Sequence, residues 1–112
     1  MKNIISDDKF YYVYNIYIME YKEIDIIKAR DVKKKYTAIL IDSKGKKYYI
    51  DFGDSSKGHY QDRTKLKHYS YMDMCYTNMG QQLQKQFAEK NTQIKKYSPL
   101  YFSAKYLWSL NI

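Results

Sequence analysis

Residues 46–70 read KKYYIDFGDSSKGHYQDRTKLKHYS, and the fold turns on how that run divides. Tyr48, Tyr49, Ile50 and Phe52 make 47–52 a strand, because β-branched and aromatic side chains suit a pleated, half-buried surface. Gly53 ends it. Asp54-Ser55-Ser56-Lys57-Gly58 then suits neither helix nor sheet, and Thr64 can cap a turn leading into 66–71. The residues before this run read as sheet, and those after it read mainly as helix.

Upstream, YTAILID (36–42) is a second strand, joined to the first by the turn Ser43-Lys44-Gly45-Lys46, with Gly where a positive φ is needed. The pair forms a central hairpin at about 35–52. EIDIIKAR (23–30) is ambiguous: Ile24 and Ile27 fit a helix, whereas Ile24 and Ile26 fit a strand. Lys33, Lys34 and Lys35 read as a turn or a strand entry. FYYVYNIYIM (10–19) reads as a strand with two apolar faces, one carrying Tyr12 and Tyr14, the other Tyr11 and Tyr17. Residues 1–8 are polar and are expected to fray.

Downstream, Met72, Cys75, Tyr76, Met79, Leu83 and Phe87 recur near helical spacing and predict a helix over about 73–90. Gly80 weakens it by ~1 kcal/mol relative to Ala, and Asn91-Thr92 closes it. Ser98-Pro99 starts a second helix, 99–108, since proline at the first helical position gives up an N–H that would be unpaired anyway. Trp108, the only tryptophan, is expected to anchor the core. The predicted fold is α+β: a small antiparallel sheet of three to four strands followed by two helices. One domain spans 1–112, with 1–22 as a Tyr-rich extension and 23–110 as the core.

Composition narrows the function classes. The formal net charge is +8, and it is uneven: 5 basic against 6 acidic residues up to Asp31, then 15 against 6 from Val32 onward. The second part therefore favours phosphate, an anionic membrane or an acidic protein surface, unless it is simply a solvated basic face. Cys75 stands alone, which excludes an intrachain disulfide and the Cys-rich zinc patterns, and fits a reducing compartment. No run approaches the roughly 20 apolar residues of a membrane span, and nothing resembles a signal peptide. Tyrosine is the anomaly, at 15 of 112 residues. A small domain cannot bury that many rings, and exposed Tyr is commonest at protein interfaces. AT-rich codons for Lys, Asn, Ile and Tyr are a competing source of the same count.

The central loop holds the side chains with reactive potential. Asp51, Asp54, Asp62, His59 and His68 could hold a divalent metal, but no His pair stands at ligand spacing. Such Asp residues more often bind backbone N–H groups. Cys75 with His59 or His68 could form a nucleophile and base, but a lone Cys between Met74 and Tyr76 reads better as a small core residue. Gly53 and Gly58 fit neither phosphate-binding glycine pattern. Basic residues interleaved with rings make a better case. Lys57, Arg63, Lys65 and Lys67 alternate with His59, Tyr60, His68 and Tyr69, and Lys95-Lys96 precede Tyr97. That is the chemistry of sequence-neutral nucleic-acid binding, or of contact with an acidic surface. Lys outnumbers Arg, which argues against base-specific contacts.

FGDSSKGHYQDRTKLKHYSYMD, succeeded after a spacer by KYSPLYFSAKYLW, resembles a family of short, basic, uncharacterised proteins of large nucleocytoplasmic DNA viruses. The resemblance runs over about 36–108 and rests on Phe52-Gly53, Tyr60, Asp62, Thr64, Tyr69-Ser70, Ser98-Pro99, Phe102-Ser103 and Leu107-Trp108. This chain departs from the pattern in its middle helix, with Gln81-Gln82 and Phe87-Ala88 where members carry paired arginines and Arg-His. The resemblance implies a viral origin without a reaction. With the surplus of rings, it leads to the expectation of a non-enzymatic virion-associated structural protein, such as a minor capsid component. Tyr11, Tyr12, Tyr14 and Tyr17 would meet neighbouring viral proteins. The expected locations are the virion, and host cytoplasm or viral factory during assembly. No cofactor or small-molecule substrate is expected. The alternative is a non-specific nucleic-acid-binding protein using the basic residues.

Overall fold

A computed structural model describes residues 20–112. The predicted strand 10–19, with its four candidate tyrosines, lies outside them. Among the described residues, three antiparallel strands form a sheet in chain order: β1 (Tyr21–Lys28), β2 (Lys34–Asp42) and β3 (Lys47–Asp54). Helices α1 (Asn78–Lys90) and α2 (Pro99–Tyr106) come next, so the α+β arrangement of sheet then helices is the one observed. Among the described residues, no helix is long and apolar enough to cross a membrane.

The hairpin forms where its residues require it. Gly45 supplies φ +84° in the tight turn, and β2 pairs with β3 from Lys34↔Asp54 to Ile41↔Lys47. The ambiguous stretch 23–30 belongs to a strand, because β1 pairs along β2 with a bulge between Glu23 and Asp25. Gly53 does not end β3, which runs on to Asp54.

Alternation along β2 places Tyr36, Ala38 and Leu40 on one face, beside Phe52 of β3. Against that face α2 lays Tyr101 and Phe102, and Leu107 completes the buried cluster. Ser98 Oγ accepts from Tyr101 N–H (3.1 Å) and Pro99 opens α2, as the sequence predicts, but the helix stops at Tyr106. Glu23 holds α2 to β1, accepting from Lys105 Nζ at 3.2 Å and from the Tyr106 hydroxyl.

α1 differs from its prediction at its start. It begins at Asn78, because Asp73 (ψ 130°) and Thr77 (ψ 152°) are extended, while Met74 is tied to the loop by its N–H on the His59 carbonyl (2.9 Å). Thr77 Oγ1 then caps the helix, accepting from Gly80 N–H (2.9 Å). Gly80 is a requirement, not only a weakness. A Cβ there would stand 1.8 Å from the Met74 carbonyl oxygen. Trp108 sits at the rim of the core and not at its centre, half-buried and stacked on Phe87 of α1 at 4.9 Å.

Candidate functional site

Residues 55–73 fold back over the Lys34 end of the sheet. Backbone hydrogen bonds fasten them: Ser55 N–H to the Lys33 carbonyl (3.1 Å), Tyr60 and Gln61 N–H to Leu107 (3.0 and 3.1 Å), and Arg63 N–H to Tyr106 (2.8 Å). Thr64 Oγ1 accepts from Lys67 N–H (3.1 Å), which is the turn the sequence predicts there. Lys67 takes φ 53°, and only a short 3-10 helix, Ser70–Met72, comes after it.

Beneath the loop lies a buried polar core that carries two joined sets of bonds. In the first, Lys35 is 1 % exposed. Its ammonium donates to the carbonyl of Lys57 (2.6 Å) and meets His59 Nδ1 (2.8 Å). His59, equally buried, places Nε2 2.7 Å from Asp73 Oδ1. A protonated Lys35 makes Nδ1 the acceptor, so Nε2–H donates to Asp73. In the second, the Tyr36 hydroxyl donates to Asp62 and accepts from His68 N–H (2.9 Å). Asp62 also accepts from Thr64 N–H (3.0 Å), Thr64 Oγ1 (2.7 Å) and Tyr69 N–H (3.2 Å). Asp73 joins the two sets by accepting from Asp62 N–H at 2.8 Å.

Gly53, at φ +82°, makes room for this arrangement. A Cβ there would come within 2.9 Å of Leu107 Cδ1 and 3.1 Å of Lys35 Cβ, so the aliphatic stem of Lys35 passes only because nothing projects from residue 53.

Burial sets the electrostatics. Desolvation lowers the Lys35 amine to about 8, although Asp54, Asp62 and Asp73 pull the other way. His59 is lowered, first by burial and then by the Lys35 charge, with Asp73 opposing. Burial alone would raise Asp62, but its donors outweigh it and hold the carboxyl below the ordinary value. The Tyr36 phenol is pushed up to about 12 by burial and by Asp62.

The arrangement limits what these groups can do. Lys35 and His59 are each 1 % exposed, so in this conformation no solute reaches them. Among the described residues, no group of three His, Cys, Asp or Glu side chains could hold a metal ion. Asp54 instead accepts from Ser56, and Asp51 from Thr37, as loop and strand-end carboxylates commonly do. Among the described residues Cys75 makes no hydrogen bond with either histidine.

The outer surface is different. Lys57, Arg63, Lys65 and Lys67 are all exposed on the loop, and none forms a salt bridge among the described residues. Lys95 and Lys96 are exposed too, but elsewhere. Lys96 lies over the Tyr97 ring (5.2 Å), and Tyr97 donates to the Tyr21 carbonyl (2.9 Å), at the Asp42 end of the sheet. Large apolar side chains stand out as well: Tyr71 is 76 % exposed, Tyr76 84 % and Met79 67 %, on the approach to α1 and its first turn. Tyr49 on β3 is 61 % exposed.

The sequence reading missed Lys35 as a buried group, since nothing local separates it from Lys33 and Lys34. The available signal was Gly53 after Phe52, which marks a place where another chain segment comes close. Comparison with protein-family models, with curated proteins and with solved structures found no match.

Proposed function

We propose that this chain is a non-enzymatic interaction protein that docks on neighbouring proteins through its exposed aromatic surface. The observation that carries the reading is the exposure of Tyr71, Tyr76 and Met79 within nine residues of chain. Rigid amphipathic rings that lose little entropy on ordering are the usual anchors of protein interfaces. The surplus of positive charge suits a partner with an acidic face. The resemblance to short basic proteins of large DNA viruses supplies the setting, a minor capsid or other virion component.

The test places a photoreactive side chain at Tyr76 and looks for the chain in purified particles. The expected result is one discrete adduct with a structural protein, lost in the Tyr71→Ser, Met79→Ser background. Absence of the chain from particles contradicts the proposal.

A second reading has its own observation: four exposed cations on one loop, with His68 and Tyr71 exposed beside them. These suit sequence-neutral binding of nucleic acid. If all four meet phosphates, the log–log dependence of affinity on salt has a slope of about −3 to −4. Lys65→Gln with Lys67→Gln then reduces it by about two. Binding that ignores salt removes this reading.

A further inference from the structure

His59 is placed where it tolerates only one protonation state. Its Nδ1 faces the Lys35 ammonium at 2.8 Å and must accept there. A proton on Nδ1 sets two donors and two positive charges against each other at contact distance. The ionisable groups around the pair are Lys35 and Tyr36 from β2, Asp54 from β3, and Asp62, Asp73 and Tyr69 from the loop. The acids stabilise the first positive charge. They offer His59 no second acceptor, because Nε2 already donates to Asp73.

The backbone makes His59 a fastening point. Its N–H donates to Met72 (3.4 Å), its carbonyl accepts from Met74 (2.9 Å), and Lys35 holds the Lys57 carbonyl two residues before it.

We infer that Lys35, His59 and Asp73 form an acid-released latch: a second proton on the Lys35–His59 pair frees residues 57–73 from the end of the sheet, while the strands and α2 stay folded. Lys57, Arg63, Lys65 and Lys67 ride on the freed segment, so acid changes how the chain displays its basic loop. The latch works in the same way whichever macromolecule the chain meets.

The test uses the unmodified protein. Imidazole titration of His59 by NMR is followed while amide exchange is recorded, corrected for its intrinsic pH dependence. His59 is expected to titrate below the ordinary histidine value of 6.5. With that titration, protection at His59, Asp62, Arg63 and Met74 falls about ten-fold further than in the β2–β3 ladder. A His59 that titrates at or above 6.5 overturns the inference, as does one that titrates without loss of loop protection. Lys35→Met provides a second arm, since it removes the opposing donor: His59 should then titrate closer to 6.5. An unchanged His59 titration in a folded Lys35→Met protein also overturns it.

Discussion

Asp42 and Asp62 perform one task at opposite ends of the sheet. Each is a buried carboxylate that gathers backbone N–H groups and a tyrosine hydroxyl. Asp42 takes Lys44 N–H and Lys46 N–H, both at 2.9 Å, and the hydroxyl of Tyr48 at 3.0 Å, all within six residues of itself. Asp62 takes Thr64 and Tyr69 from its own loop, and then Tyr36 from 26 residues away. The first carboxylate closes a turn that a hairpin would make in any case. The second ties a long loop to a strand. The same chemistry is local detail at one end and tertiary structure at the other.

The largest expected difference comes from removing each acid. Asp62→Ala leaves the Tyr36 and Thr64 hydroxyls and two N–H groups without this acceptor, at a cost of ~3–5 kcal/mol. At Asp42→Ala the donors Lys44 and Lys46 belong to the exposed turn 43–47, where water replaces the lost acceptor, and the change should cost less than half as much. Urea unfolding of the two variants checks the order, and equal losses would break the contrast.

The two left-handed glycines sharpen it. Gly45 and Gly53 have nearly the same φ, +84° and +82°, but a Cβ at Gly45 meets nothing within 4 Å. Gly45→Ala therefore reports backbone strain alone, ~1 kcal/mol. Gly53→Ala adds the clash with Leu107 and Lys35, and its melting temperature should fall by at least twice as much.

Acid should reach the two ends in sequence. His59 is held below its ordinary 6.5, so its contribution is complete above that pH and is lost as pH falls through the folded value. Asp42 and Asp62 are held below 3.8, so theirs persists until far lower pH. The only other histidine is the exposed His68, so nothing at the Asp42 end titrates as early. Thermal melts stepped through pH should show a first loss below 6.5 and a second below 3.8. His59→Asn should abolish the first and keep the second.

Much of the fold was legible because its signals are local. Gly45 between two apolar runs marked the hairpin, and Ser98-Pro99 marked α2. β1 was ambiguous for a physical reason: the bulge at Glu23/Asp25 breaks the two-residue period, sending Ile26 to the core while Ile24 and Ile27 remain largely exposed. The start of α1 was misjudged because Met72, Cys75 and Tyr76 stand near helical spacing, yet Asp73 and Met74 between them bind His59. Lys57, Arg63, Lys65 and Lys67 were readable as a basic loop. Lys95 and Lys96 were readable as exposed cations beside Tyr97, and Lys96 lies over that ring. The polar core under the loop was hidden entirely, because its partners come from β2 and from positions up to 38 residues further on.

The most direct measurement is a pair of double-mutant cycles, Tyr36→Phe with Asp62→Asn and Tyr48→Phe with Asp42→Asn. If the distant bond fastens the loop, the first pair couples by ~1.5–3 kcal/mol and the second by less than half of that. Coupling of the first pair no greater than the second would contradict the view that this buried bond, together with the Lys35–His59–Asp73 contacts, fastens residues 55–73 to the sheet.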